Sequence, residues 1–202
     1  MVDKRKFKDT NISLLGLGTM RLPCETEEKR ESNPNIDYGK AQSLVDLAYK
    51  NGVNYFDTAY MYHCGKSEAF IGCALNKYPR DTYFIADKLP IWLCDTKEDM
   101  KLVFDEQLER TGMDYFDFYL LHSLDNENFE KCEKFDAYDF LKKMQKEGKI
   151  KYIGFSFHGT VDDLRNIVSA HKWDFAQIQM NYLDWENQNA KMQYQILEDA
   201  GI

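Results

Sequence analysis

Four side chains of unlike chemistry stand out in this sequence: Asp57, Tyr62, Lys88 and His122. Asp57, Lys88 and His122 each lie towards the C-terminal end of an apolar, strand-like run, VNYFDTA (53–59), YFIADKL (83–89) and DYFDFYLLHS (114–123). Tyr62 follows Asp57 by five residues, in the loop that the first of these runs feeds. Strands laid side by side in a parallel sheet would bring all four groups to one end of it. Together they can make a proton donor. A tyrosine phenol has a pKa of about 10, too high for an ideal acid near neutrality. A neighbouring ammonium favours the phenolate and lowers that value. A carboxylate keeps the ammonium charged in a partly buried place. An imidazole can hydrogen-bond a carbonyl and orient it. Such a group suits a reaction that builds negative charge on a carbonyl oxygen and needs a proton as it does so.

Taken singly, each residue also has an ordinary structural role open to it. Asp57 can cap the turn after its strand. Tyr62 is one of 13 tyrosines and can simply pack. Lys88 can be a solvated charge and His122 a satisfied core histidine. The conjunction points to chemistry, because packing alone would have to gather all four at one sheet end by accident. His63 and Cys64, beside Tyr62, fit either the lining of a pocket or a solvated loop. Trp92 fits either a pocket wall or a hydrophobic anchor. The acidic run DNENFEKCEKFD (125–136) reads as a solvated loop, and His171 and Trp173 as helix-end packing.

The elements that must position these groups alternate regularly. NISLLGLGTM (11–20) reads as the first strand, and the polar stretch CETEEKRESNPNID (24–37) as a long surface loop. DYGKAQSLVDLAYKNG then places Ala41, Leu44, Val45 and Ala48 on one helical stripe, with Gly52 suited to a C-terminal cap. Helical stripes over 67–78 and 97–111, one carrying Ala137, Phe140, Leu141 and Met144, and others over 161–172 and about 190–200 alternate with strands over 53–59, 83–89, 115–122, 151–157 and 175–181. Polar residues recur at the strand ends at 57, 88, 122 and 156, in steps of 31, 34 and 34. That is the pitch of a βα unit, so the fold class is α/β with a parallel sheet. A doubly wound sheet fits the pitch too, but its strand ends diverge from a switch point. A (β/α)8 TIM-type barrel brings every strand end to one mouth and explains more. About six βα units are expected here, whereas a complete barrel of this type takes roughly 250 residues or more. The expectation is therefore one domain over residues 1–202 that lacks the last strands and helices, completed by a further segment or a partner.

The chain has 202 residues, a formal net charge of −8 and 44% hydrophobic residues, enough to fill a core. The acidic balance argues against general nucleic-acid binding, which favours a basic face. Five cysteines with no CxxC read as reduced thiols of a cytoplasmic protein, with neither a disulfide framework nor a metal site. The N-terminus lacks the apolar stretch of a signal peptide, and no run is long enough to span a bilayer.

The order of these motifs resembles the aldo-keto reductase family. The matching segments are GLGTMRL (16–22), FDTAYMYHCGKSE (56–68), DKL (87–89), DYFDFYLLH (114–122), IGFS (153–156) and QIQMNY (177–182). YMYHCGKSE with IGFSFHG is similar to a bacterial branch, some of whose members carry an iron–sulfur extension beyond the barrel. The resemblance implies reduction of an aldehyde or ketone, or the reverse oxidation, with NADPH or NADH. It implies Tyr62 as the general acid, Lys88 and Asp57 as the groups that adjust it, and His122 as the group that orients the carbonyl. Ser156, assisted by Gln177, would bind the nicotinamide carboxamide, and Gly18, Thr19 and Met20 would line the nicotinamide end of the pocket, with Asp57 at its edge. The implied partner is a small carbonyl substrate, with no metal, nucleic acid or membrane. The family often has Asn directly after the Ser, where this chain has Phe157 and then His158. Its grip on the cofactor diphosphate and adenosine comes from segments after the seventh and eighth strands. Two other readings stay open at this point: a non-catalytic remnant or assembly component on the same scaffold, and a Schiff-base aldolase using Lys88.

Overall fold

A hairpin comes before the sheet. In the computed structural model, which describes residues 1–26, 35–187 and 189–202, β1 (Lys4–Phe7) pairs antiparallel with β2 (Thr10–Ser13). The run expected to be one strand over 11–20 is thus divided. Its first part belongs to the hairpin, and only β3 (Leu17–Gly18) enters the main sheet. The break falls at Leu14 and Leu15, which are both exposed. Most of the loop expected over 24–37 lies outside the described residues. Its two ends meet, Cys24 bridging Ile36 and the Asp37 N–H bonding to the Pro23 carbonyl at 2.9 Å.

The main sheet holds β3, β4 (Tyr55–Asp57), β5 (Phe84–Leu89), β6 (Phe116–Leu124), β7 (Ile150–Phe157) and β8 (Phe175–Ile178), in chain order. The pairs β3–β4, β4–β5 and β7–β8 are parallel. Strict chain order, with a helix in most of the connections, is the pattern of a (β/α)8 barrel; a doubly wound sheet reverses order at its switch point. Six βα units of that architecture are present. β8 is shorter than the 175–181 expected, because beyond Ile178 the register partners on β7 run out at Phe157.

The chain divides into two compact units, Met1–Asp87 with Phe104–Asp117, and Lys88–Val103 with Phe118–Ile202. In the first unit, α1 (Tyr38–Lys50) starts at Asp37, whose carboxylate accepts the Lys40 N–H. It buries Ala41 and Val45 and is followed by Gly52 at φ +95°. α2 (Lys66–Leu75) and the C-terminal part of α3 (Lys97–Thr111) approach closely at Gly72, where a Cβ would lie 2.0 Å from the Thr111 carbonyl oxygen. Phe56, Ile85, Phe70, Ile71 and Phe104 are fully or almost fully buried here, and the Phe104 and Phe116 rings meet edge-on at 5.8 Å.

In the second unit, α5 (Ala137–Lys146), α6 (Val161–Ala170) and α8 (Ala190–Asp199) bury Leu141, Met144, Leu164, Ile167 and Leu197. The short α7 (Asp184–Asn187) precedes α8. Trp173 packs on Phe155 and Tyr138, as expected of a helix-end anchor. The acidic run at 125–136 is not a loop. It forms α4 (Asn126–Lys134), capped by Asp125, whose carboxylate accepts the Asn128 N–H at 2.8 Å. Cys132 is its buried face, and Lys131 and Lys134 close its last turn, where cations complement the helix dipole. The high charge content hid a narrow apolar stripe.

Candidate active site

In the first unit, β3 and β4 end side by side, with Gly18 in register with Asp57. The carbonyl of Asp57 accepts both the backbone N–H and the hydroxyl of Thr19, each at 2.9 Å. Ser67, in the first turn of α2, donates to the Thr19 hydroxyl at 2.6 Å and lies 2.9 Å from the Thr58 hydroxyl. All three hydroxyls are fully buried. They tie the β3 end, the residues after Asp57 and the start of α2 to one another. Asp57 is 8% exposed, while Tyr62 and Met20 are half-buried.

Tyr62 opens a short 3-10 segment, Tyr62–Gly65, its N–H bonded to the Ala59 carbonyl at 3.1 Å. The chain then takes a left-handed course through His63, Cys64 and Gly65, with φ of 51°, 55° and 85°. Non-glycine residues enter that region at an energetic cost and persist there only where the surroundings hold them. His63 is wholly buried, not solvated, and its Nε2 accepts the Leu22 N–H at 3.1 Å. That nitrogen therefore carries no proton. Nδ1 faces the Cys24 sulfur at 3.8 Å. In the neutral ring Nδ1 then holds the proton, so it cannot serve as a base for the thiol. Cys64 is exposed.

Sequence reasoning passed over a buried polar cluster behind this turn. Glu68 is wholly buried and accepts from Gln107 Nε2 at 2.9 Å and from Arg110 Nη1 at 3.0 Å. Gln107 also donates to Asp87 at 2.9 Å. Burial pushes the Glu68 carboxyl up, and its bonds to Gln107 and Arg110 oppose that shift. Gln107 and Arg110 are three apart and share a face of α3. That spacing, with Glu68 next to Ser67, was the signal available in the sequence.

In the second unit, Lys88 lies in β5 with 2% exposure, and His122 lies near the end of β6, half-buried. The Trp92 ring stands 5.0 Å from the His122 ring, tilted at 51°. Burial, then Lys88 and His158, push the His122 pKa down to about 3. Near neutrality His122 is an uncharged ring that can donate a hydrogen bond. On β7, the Ser156 oxygen accepts the Ser123 N–H at 2.7 Å. Its hydroxyl proton stays available for donation. Gln177 on β8 is in register with Ser156 and is exposed.

A cavity of about 730 Å³ in the first unit, lined by Arg80, Tyr83, Arg110 and Tyr115 among others, contains none of the residues expected to do chemistry. Among the described residues, no group of three or more His, Cys, Asp or Glu could hold a metal ion. No helix there is long and apolar enough to cross a membrane.

Residues 14–202 match the sequence model of the Aldo/keto reductase family. This chain is a member of that family. It is 29% identical over 176 residues to a probable aldo-keto reductase 1 of Glycine max, covering 83% of this chain and 48% of that protein. It is 27% identical over 216 aligned positions to an NADH-specific methylglyoxal reductase of Escherichia coli, covering 96% of this chain and 62% of that protein. The holo structure of aldo-keto reductase AKR11C1 from Bacillus halodurans superposes with a TM-score of 0.77 at 24% identity, covering all of this chain and 64% of that one. That likeness shows the fold. The chain spans about half the length of several curated aldo-keto reductases it matches.

Proposed function

We propose that this chain carries the acid–base and nicotinamide-facing residues of an NAD(P)H-dependent reductase of aldehydes or ketones. The observation that supports the reading most is the series of strand ends. Asp57 closes β4, and Lys88, His122 and Ser156 fall within the last three residues of β5, β6 and β7. All four lie inside the family match.

In this reading Tyr62 donates the proton that the carbonyl oxygen needs as negative charge builds on it. The resemblance gives Lys88 and Asp57 the part of adjusting that phenol, since a neighbouring ammonium lowers the cost of forming the phenolate. His122 holds the substrate oxygen by a hydrogen bond from its neutral ring and does not itself supply the proton. Trp92 limits the room beside His122 and shapes which substrates enter.

The residues present fit the nicotinamide end of such a cofactor. The space beside Gly18 is open, with nothing within 4 Å of where a Cβ would stand. Thr19 is immobilised by its two bonds to Asp57, and Met20 follows it at the half-buried edge. Ser156 can donate its hydroxyl proton to a carboxamide, and Gln177 stands next to it. The cofactor, NADH or NADPH, supplies the hydride when bound. Phe157 and His158 replace the family's frequent Asn, so the carboxamide is held mainly by Ser156 and Gln177.

The test is the loss of NAD(P)H absorbance with 4-nitrobenzaldehyde as probe, comparing the chain with its Tyr62→Phe variant. The expected outcome is a drop in kcat of about 10²–10⁴-fold, the usual contribution of a positioned general acid. Equal turnover by the variant would remove Tyr62 from the role.

A further inference from the structure

We propose that Arg110, on α3, is a positioning residue that clamps the turn carrying Tyr62. The inference rests on the reading of Tyr62 as the proton donor. Arg110 belongs to no strand end and to none of the matching motifs. Its guanidinium is nevertheless engaged on four sides. Nη1 donates to Glu68 at 3.0 Å and Nη2 to Glu106 at 2.5 Å. Its Cζ stands 4.2 Å from the centre of the Tyr60 ring, over the ring face. A Cβ placed on Gly65 would lie 3.4 Å from Nη1, an ordinary contact distance, so the guanidinium lies near that residue.

Tyr60 and Glu68 bracket Tyr62. One cation on a neighbouring helix therefore holds residues on both sides of the segment that presents the phenol. Tyr60 is fixed further by its hydroxyl, which donates to Glu106 at 2.7 Å. Between these anchors the chain makes its left-handed course through His63 and Cys64, a path that needs outside support. His63 is held through the Leu22 N–H. Arg110 supplies the hold through Tyr60 and Glu68. The geometry asks for arginine in particular. A planar fork can bond two carboxylates and stack on a ring at once, whereas a lysine ammonium cannot. Glu68, wholly buried, accepts from Nη1 at 3.0 Å and so anchors one arm of the fork.

The test uses the whole chain with tyrosines labelled at 13Cζ. Tyr62 is assigned as the resonance absent from Tyr62→Phe. Arg110→Lys keeps the charge and loses the fork; Arg110→Ala opens room for free guanidinium ion. The expected result is a shifted or broadened Tyr62 resonance in Arg110→Lys, with the native circular dichroism kept. Guanidinium added to Arg110→Ala, well below unfolding concentrations, should restore the resonance. In turnover, Arg110→Lys should lower kcat by about 10²-fold, the scale of a 1 Å misplacement, with KM changed less than about twofold. A folded Arg110→Lys with an unmoved Tyr62 resonance would overturn the proposal, as would failure of guanidinium to restore anything in Arg110→Ala. If Tyr62→Phe keeps full turnover, the acid assignment fails, while the resonance still decides whether Arg110 holds the turn.

Discussion

His122 should make this chain sensitive to acid well above the range where most carboxylates protonate. Its pKa in the folded chain is pushed down to about 3. In the unfolded chain it returns to about 6.5. Between those values the unfolded chain binds the proton and the folded chain does not. The stability that a neutral His122 allows is therefore present in full above pH 6.5 and is lost as pH falls from 6.5 towards 3. At pH 4.5, two units below the unfolded pKa, the loss is about 3 kcal/mol at about 1.36 kcal/mol per unit. That is a sizeable part of the roughly 5–15 kcal/mol by which domains are stable. His122→Gln keeps a neutral polar side chain and removes the titration. Urea unfolding of both proteins at pH 7 and pH 4.5 gives the comparison, because titrating groups that do not interact with His122 cancel in the difference. The wild-type chain should lose roughly 2–3 kcal/mol more than the variant over that interval. The 13Cε1 resonance of His122 should show no inflection above about pH 4. An inflection near pH 6.5, or equal acid sensitivity in the two proteins, would refute the burial argument and the picture of an uncharged ring beside Lys88.

Two further outcomes follow from packing. Gly72→Ala gains about 1 kcal/mol of helix propensity, yet its new Cβ would stand 2.0 Å from a backbone oxygen of Thr111, which cannot turn aside. The net effect should be a loss of about 3 kcal/mol or more in urea unfolding, and a stabilised variant would mean that α2 and α3 are further apart. In a thiol-reagent assay, Cys64 and Cys73 should react quickly and the buried Cys24, Cys94 and Cys132 only after unfolding. Burial pushes the Cys94 thiol up to about 11 and Cys132 further, so little thiolate exists to react. A burst other than two thiols out of five would contradict that burial.

Strand ends and helix stripes were legible because both are local patterns. An apolar run ending in Asp57, Lys88, His122 or Ser156 marks a strand whatever surrounds it. α4 was missed because one buried Cys132 among nine mostly polar and charged residues is a weak periodic signal. The first strand was read too long because apolar residues at 14 and 15 look alike on paper whether they enter a sheet or face solvent. His63 was undecidable: its burial comes from a bond to Leu22, 41 residues away.

The order of elements, the placing of unlike reactive groups at successive strand ends, and the family were determined by the sequence alone. Each depends on residue type and short spacing. Tertiary structure decided that Glu68, 42 residues from Arg110, becomes its buried partner, and that His63 is an acceptor locked in a left-handed turn. It also decided that His122 stays neutral. Those outcomes depend on what lies within a few ångströms in space, and burial, charge pairing and backbone support are set by neighbours that are distant along the chain.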